Sequence, residues 1–296
     1  MKQIMQHKPE AVTSHISQLG EGPVWDESTQ SIYWTDIPGC SIQRFSVPQK
    51  RLYSHQLNCT IGSFALRKSG GLVAATENGF AFLDLEESTI QWLKHPEEGK
   101  STRFNEGKCD PHGRFWAGTM GINKSDDYGG LYTLNHNLSV TPRLDNVGCS
   151  NGLAWSPDAE TFYYIDTPTR YVAAFDYNIE DGAIRNKRII IEFNEEDGYP
   201  DGMTVDKEGM LWIALWNGWT LNRYSPRSGM LLDSISLPVS RVSSCTFGGQ
   251  DLQELYITTA REGLTDEELQ RQPLAGSLFV VKNSGYEGLP AVRFAG

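Results

Sequence analysis

In the segment GYPDGMTVDKEGMLWIAL, residues 198–215, an aspartate stands just ahead of a run that reads as a buried strand. A carboxylate there is costly unless something pairs with it. Asp201 lies eleven residues before Trp212. Counting back eleven to thirteen residues from Tyr33, Val73, Trp116, Tyr164 and Tyr256 reaches Glu21, Gly62, Asn105, Asn151 and Cys245. Of these six positions, Glu21, Asn105, Asn151 and Asp201 carry a side-chain oxygen, and Gly62 and Cys245 are small. Facing carboxylates repel, and burial adds to the cost of their charge. A cation removes both problems, and carboxylate and amide oxygens suit hard divalent ions. Taken singly, Asn151-Gly152 and Asp201-Gly202 are ordinary turn dipeptides; their equivalence with Glu21 favours the ligand reading. Arg103, two residues ahead of Asn105, adds a guanidinium that by itself would equally suit a surface ion pair.

Such residues converge only if the elements carrying them repeat. The runs SIYWTD, GLVAAT, RFWAGT, TFYYID, MLWIAL and ELYITT each follow a polar turn, the pattern of two antiparallel strands joined tightly. From Tyr33 to Tyr256 their spacings are 40, 43, 48, 48 and 44 residues. Further strand-like runs, such as LNRYSP and LLDSISL, bring each unit to four strands. A sandwich does not repeat six times at this period, and a β-helix repeats at a much shorter one. The reading is all-β: one six-bladed β-propeller over residues 1–296 with a central-channel metal site, its blades starting near 21, 62, 105, 151, 201 and 245. The first strand of each blade lines the channel, so the counted positions form a ring at one end. The turns after each second strand, with Trp216 and Trp219 in one of them, return to that end. Packing between blades is the expected role of both tryptophans. Residues 11–19 are expected to close the last blade, and LTDEELQRQ, with Thr265 as N-cap and Glu268 three residues on, is the one helical candidate.

Composition narrows the function. The chain is 39% apolar and 21% charged, with a formal net charge of −11. That balance, with no basic cluster, argues against a nucleic-acid partner. No apolar run is long enough to span a bilayer, and the start, MKQIMQHKPE, lacks a signal-peptide core, so no membrane partner and a cytoplasmic location are expected. Five scattered cysteines without a Cys-x-x-Cys pair argue against a disulfide framework or a zinc ribbon. None of the six histidines shows metal-ligand spacing.

The motifs LGEGPVWD (19–26), RFNEGKCDPHGRFWAGTM (103–120), SNGLAWSPDAETFYYIDT (150–167), PDGMTVDKEGMLWIA (200–214) and CTFGGQDLQELYITTA (245–260) closely resemble the gluconolactonase/regucalcin family, also called senescence marker protein and luciferin-regenerating enzyme. The resemblance implies a six-bladed propeller that opens sugar lactones with one divalent metal. The family's metal ligands fall on Glu21, Asn151 and Asp201, and its substrate-contacting Arg-x-Asn falls on Arg103 and Asn105. Calcium is the foremost ion, with zinc, manganese or magnesium as alternatives. Two departures bear on substrate preference: Glu106 stands where the family has aspartate, and the loop Gly121-Ile122-Asn123 lacks an acidic contact found in some members.

The expected function is therefore metal-dependent hydrolysis of a small-molecule sugar lactone, with Asp201 as general base as well as ligand. There is no Gly-x-Ser-x-Gly elbow and no cysteine–histidine motif. The alternatives are an esterase or organophosphate hydrolase on the same site, and a non-catalytic calcium-binding or scaffold propeller.

Overall fold

The computed structural model describes residues 7–122 and 128–296, which form a six-bladed β-propeller of six four-stranded antiparallel sheets. The innermost strands of blades I to VI are Gly20–Asp26, Ile61–Leu66, Thr102–Cys109, Ser150–Trp155, Tyr199–Val205 and Val242–Gly248. In the first five blades the next three strands follow outward in chain order.

A local device recurs where an inner strand turns into the second strand. In DPHGRFW the Asp110 carboxylate accepts from the backbone N–H of His112 (3.1 Å) and Arg114 (2.9 Å), closing the turn, and from Trp116 Nε1 at 2.8 Å. In DKEGMLW Asp206 does the same for Glu208, Met210 and Trp212. Each aspartate is buried and also paired, with Arg114 at 2.6 Å and Arg223 at 2.7 Å, so its charge is not stranded. The aspartate–tryptophan spacing of six residues is thus the physical origin of part of the sequence repeat. The second strands SIYWTD and LVAAT are buried throughout, because adjacent blades cover both faces of each sheet. Interblade packing is largely aromatic, for example Trp25 stacked on Tyr256 at 5.5 Å and Trp116 against Phe162 at 5.0 Å.

The ring closes through its termini. Glu10–Ala11 pairs with Phe279–Val281 as the outer strand of blade VI. The pairing is shorter than the expected 11–19 because the chain then leaves the rim for the channel, where Leu19 bridges Ala260. The helix Asp266–Arg271 lies between two strands of blade VI, with the expected reciprocal cap between Thr265 and Glu268. At the opposite end of the channel the C-terminal residues form a strap. Gly288 N–H donates to Leu252 O and Phe294 N–H to Leu66 O, each at 2.8 Å, and the Phe294 ring is fully buried.

Candidate active site

Strand register defines the ring. Val24, Ala65, Lys108, Ala154, Thr204 and Thr246 pair with Tyr33, Val73, Trp116, Tyr163, Trp212 and Tyr256; in blade IV the aligned residue is Tyr163 rather than Tyr164, which pairs with Leu153. Three residues earlier on each inner strand stand Glu21, Gly62, Asn105, Asn151, Asp201 and Ser243. The blade VI member is therefore Ser243, not Cys245, which packs in the core beside Trp212 with its thiol 3.7 Å from Trp212 O. The count fails there because the hairpin turn of blade VI is longer: Thr246 and its partner Tyr256 are ten residues apart, against eight or nine for the aligned pairs of the other blades. Every inner strand also carries a one-residue β-bulge at this level. Bulges re-aim side chains, and here they interrupt the ladder at the channel mouth. Gly62 is small for a definite reason: a Cβ there would collide with the backbone carbonyl of Phe104.

Glu21 and Asp201 are 7% and 6% exposed. Burial, then the charges of Asp201 and Glu106, push the Glu21 carboxyl well above its ordinary range, while Gly22 N–H (3.0 Å) and Arg103 ease it. Burial and then Glu106 push Asp201 the same way. Among the described residues neither carboxylate has an ion-pair partner.

The two amides are held differently. Arg103 Nη1 donates to Asn105 Oδ1 at 2.8 Å, and Asn105 Nδ2 donates to Ser150 O at 2.9 Å. Both ends of Asn105 are thus committed to the protein, and it orients the guanidinium. Asn151 Nδ2 donates to Thr167 Oγ1 (2.9 Å), whose hydroxyl donates to Pro200 O (2.8 Å). That leaves the Asn151 Oδ1 with only a long 3.4 Å contact to Asn105 Nδ2. Thr167 is a site residue that counting missed; its signal was its place in the TPTR turn beside the ring. Cys149 also joins the site, its sulfur 3.9 and 3.8 Å from the Asn105 and Asn151 amide nitrogens. Burial, reinforced by Asp201, pushes its thiol up to about 12, so it is neutral.

Among the described residues no three His, Cys, Asp or Glu side chains group closely enough to hold a metal by themselves. The donors available are two buried carboxylates and the Asn151 amide oxygen. All are oxygens, and the carboxylates carry repelling charge that a cation would offset, so the set fits a hard divalent ion with positions left open. Glu106 sits just below the ring, accepting from Gly107 N–H at 3.1 Å. Asn123 lies outside the described residues. Trp216 is half-buried against Leu19, Ile37 and Ala260, with Arg241 over its ring at 5.0 Å. Trp219, expected between blades, is instead 44% exposed.

Fold and site together define a propeller whose acidic channel mouth is built from inner-strand bulges. Residues 19–261 match the model of the SMP-30/Gluconolactonase/LRE-like region, and the chain belongs to that family. It is 40% identical to regucalcin of Danio rerio over 291 residues, covering 98% of this chain and 99% of the relative. It is 38% identical over 281 residues, 94% and 95% of the two chains, to the Bacillus subtilis (strain 168) protein that bears the provisional name sugar lactone lactonase YvrE. The solved luciferin-regenerating enzyme superposes with a TM-score of 0.91 at 31% identity, over 97% of this chain and 99% of its own.

Proposed function

We propose that the protein is a metal-dependent sugar lactonase, opening an aldonolactone to the hydroxy acid. One observation carries the reading. Two buried carboxylates, Glu21 and Asp201, face each other without an ion pair, beside an oriented amide and a held guanidinium. The family membership and the lactonase name of the Bacillus subtilis relative support the same chemistry.

Glu21, Asn151 and Asp201 would hold the ion, with calcium the best match to an all-oxygen donor set. A divalent cation bound there supplies Lewis acidity toward the lactone carbonyl and lowers the pKa of water. Arg103 positions the substrate: Nη1 is fixed on Asn105 and Phe104 O, which leaves its other nitrogens for a sugar hydroxyl or the carbonyl. Asp201 accepts the proton of the attacking water as the new C–O bond forms, and returns it to the ring oxygen as the ester C–O bond breaks, freeing the alcohol. No covalent intermediate is needed.

The test is hydrolysis of an aldonolactone panel by proton release, after chelation and after adding back calcium, magnesium, manganese or zinc. Asp201→Asn and Glu21→Gln should each lower turnover by about a hundredfold or more. Metal-binding, folded protein that turns over no lactone with any ion would overturn the reading in favour of another ester or a non-catalytic role.

A further inference from the structure

Below the ring, the register-aligned residues Val24, Ala65, Lys108, Ala154, Thr204 and Thr246 make a second circle of six, one from each blade. Five are small and neutral; Lys108 alone is charged. Its Nζ donates to Met203 O at 2.7 Å. Among the described residues the ammonium has no other hydrogen bond and no carboxylate at ion-pair distance. The circle borders a cavity of about 220 Å³ that extends away from the ring, walled by Phe64, Pro111, Trp155 and the C-terminal strap. An apolar cavity of ~150 Å³ already accepts benzene. The strap closes the outer end loosely. Between its anchors at Gly288 and Phe294, residues 289–292 make no backbone–backbone hydrogen bond among the described residues, and Val292 is 38% exposed.

We infer that this lower cavity is a second binding site, which takes a compact monocarboxylate with an apolar body about one ring in size, its carboxylate on Lys108 Nζ. An ammonium with spare donors in a largely apolar cavity gains most from a charged acceptor, because charge-assisted hydrogen bonds are the stronger kind. The body packs on Phe64 and Trp155 beneath the strap. Glu106 also lines the cavity and shares the Lys108 charge, which limits the site to a single negative charge and disfavours a multiply charged anion. A polyhydroxylated acid, such as the aldonate product, is disfavoured as well, since the Phe64, Trp155 and strap walls would leave hydroxyls on that side unpaired. The site therefore stands apart from the lactonase reading and does not depend on it.

The probe is benzoate, titrated calorimetrically into the calcium-loaded protein, with benzyl alcohol as the neutral counterpart. One benzoate per chain is expected. Lys108→Met should weaken benzoate about tenfold or more, the worth of a charge-assisted hydrogen bond, and leave benzyl alcohol within about twofold. Lys108→Arg, which keeps the cation, should retain benzoate binding and guards against a folding artefact. Ala291→Trp, on the exposed strap, should block both probes and leave lactone turnover unchanged. The proposal is overturned by the absence of saturable benzoate binding, or by binding indifferent to Lys108→Met or to Ala291→Trp. Benzoate displaced by gluconolactone or lost on chelation alone, with Ala291→Trp silent, would assign it to the channel mouth and overturn the proposal equally.

Discussion

Glu21 and Asp201 are costly as anions without a cation between them, and that cost has a pH signature. Each carboxyl has a folded-state pKa above its unfolded value, first through burial and then through neighbouring carboxylates. Ionising either one therefore destabilises the metal-free fold, and the penalty lifts as pH falls through the raised folded pKa toward the unfolded value. In chelator, Tm should rise as pH is lowered from about 8 to about 5, before depressed carboxyls reverse the trend. Glu97 is one of these. Burial pushes it up, but hydrogen bonds from Thr102, Thr119, Tyr132 and Lys100 outweigh that and hold it below its usual range. Its contribution is present above its unfolded pKa and is lost as pH falls through its folded one. With saturating calcium the slope inverts, because the ion requires both carboxylates unprotonated. Calorimetry across this range in both conditions checks the crossing, and parallel curves would contradict it. A second expectation concerns Thr167, which anchors Asn151. Thr167→Val should weaken metal binding about tenfold, with Thr167→Ser near wild type, as for other partners that orient ligands. Calcium titration of the three proteins measures it. Side-chain type at a recurring spacing was enough to single out Glu21, Asn105, Asn151 and Asp201 in the sequence. Thr167 was not, because its role is a hydrogen bond across sixteen residues to another turn.

At the scale of elements, the strands were legible for a plain reason. Each second strand is buried on both faces and so reads as an apolar run after an aspartate- or glycine-bearing turn. The bulges were not legible. Each adds one residue to its inner strand, and no side chain announces it. Counting from Tyr256 stopped at Cys245 rather than Ser243 because the blade VI turn is longer, ten residues from Thr246 to Tyr256 where the other aligned pairs are eight or nine apart. The closing strand was readable in place but not in length, since only Glu10–Ala11 pairs. Short as it is, it covers Phe279–Val281, all buried. Deleting the chain through Ala11 also removes the contact of His7 with Asp233 at 2.9 Å. The loss should amount to ~1–3 kcal/mol and lower Tm by several degrees. It also bares a hydrophobic sheet edge, so light scattering should show concentration-dependent association. A truncated protein with unchanged Tm that stays monomeric would contradict the closure.

At the scale of the molecule, the formal net charge of −11 sets how charged and neutral species approach. A divalent cation is drawn by the whole field, which salt screens over a Debye length of ~8 Å at physiological ionic strength. Calcium association should therefore slow several-fold between about 20 and about 300 mM salt, while KM for an uncharged lactone stays nearly constant. Stopped-flow binding and steady-state kinetics over one salt series test this, and equal salt dependence would contradict it.

Glu21 and Asp201 lie on blades I and V, 180 residues apart in the chain, and blade VI is completed by residues from both ends. Chain growth at ~5–20 residues per second therefore delivers the first carboxylate many seconds before the second. Until then a nascent chain on the ribosome holds a lone acid with nothing to share an ion with. The circle cannot shut before the last blade emerges. If Glu21, Asn151 and Asp201 hold an ion as proposed, its acquisition would follow the emergence of blade V, and a chain short of that point would lack the full donor set.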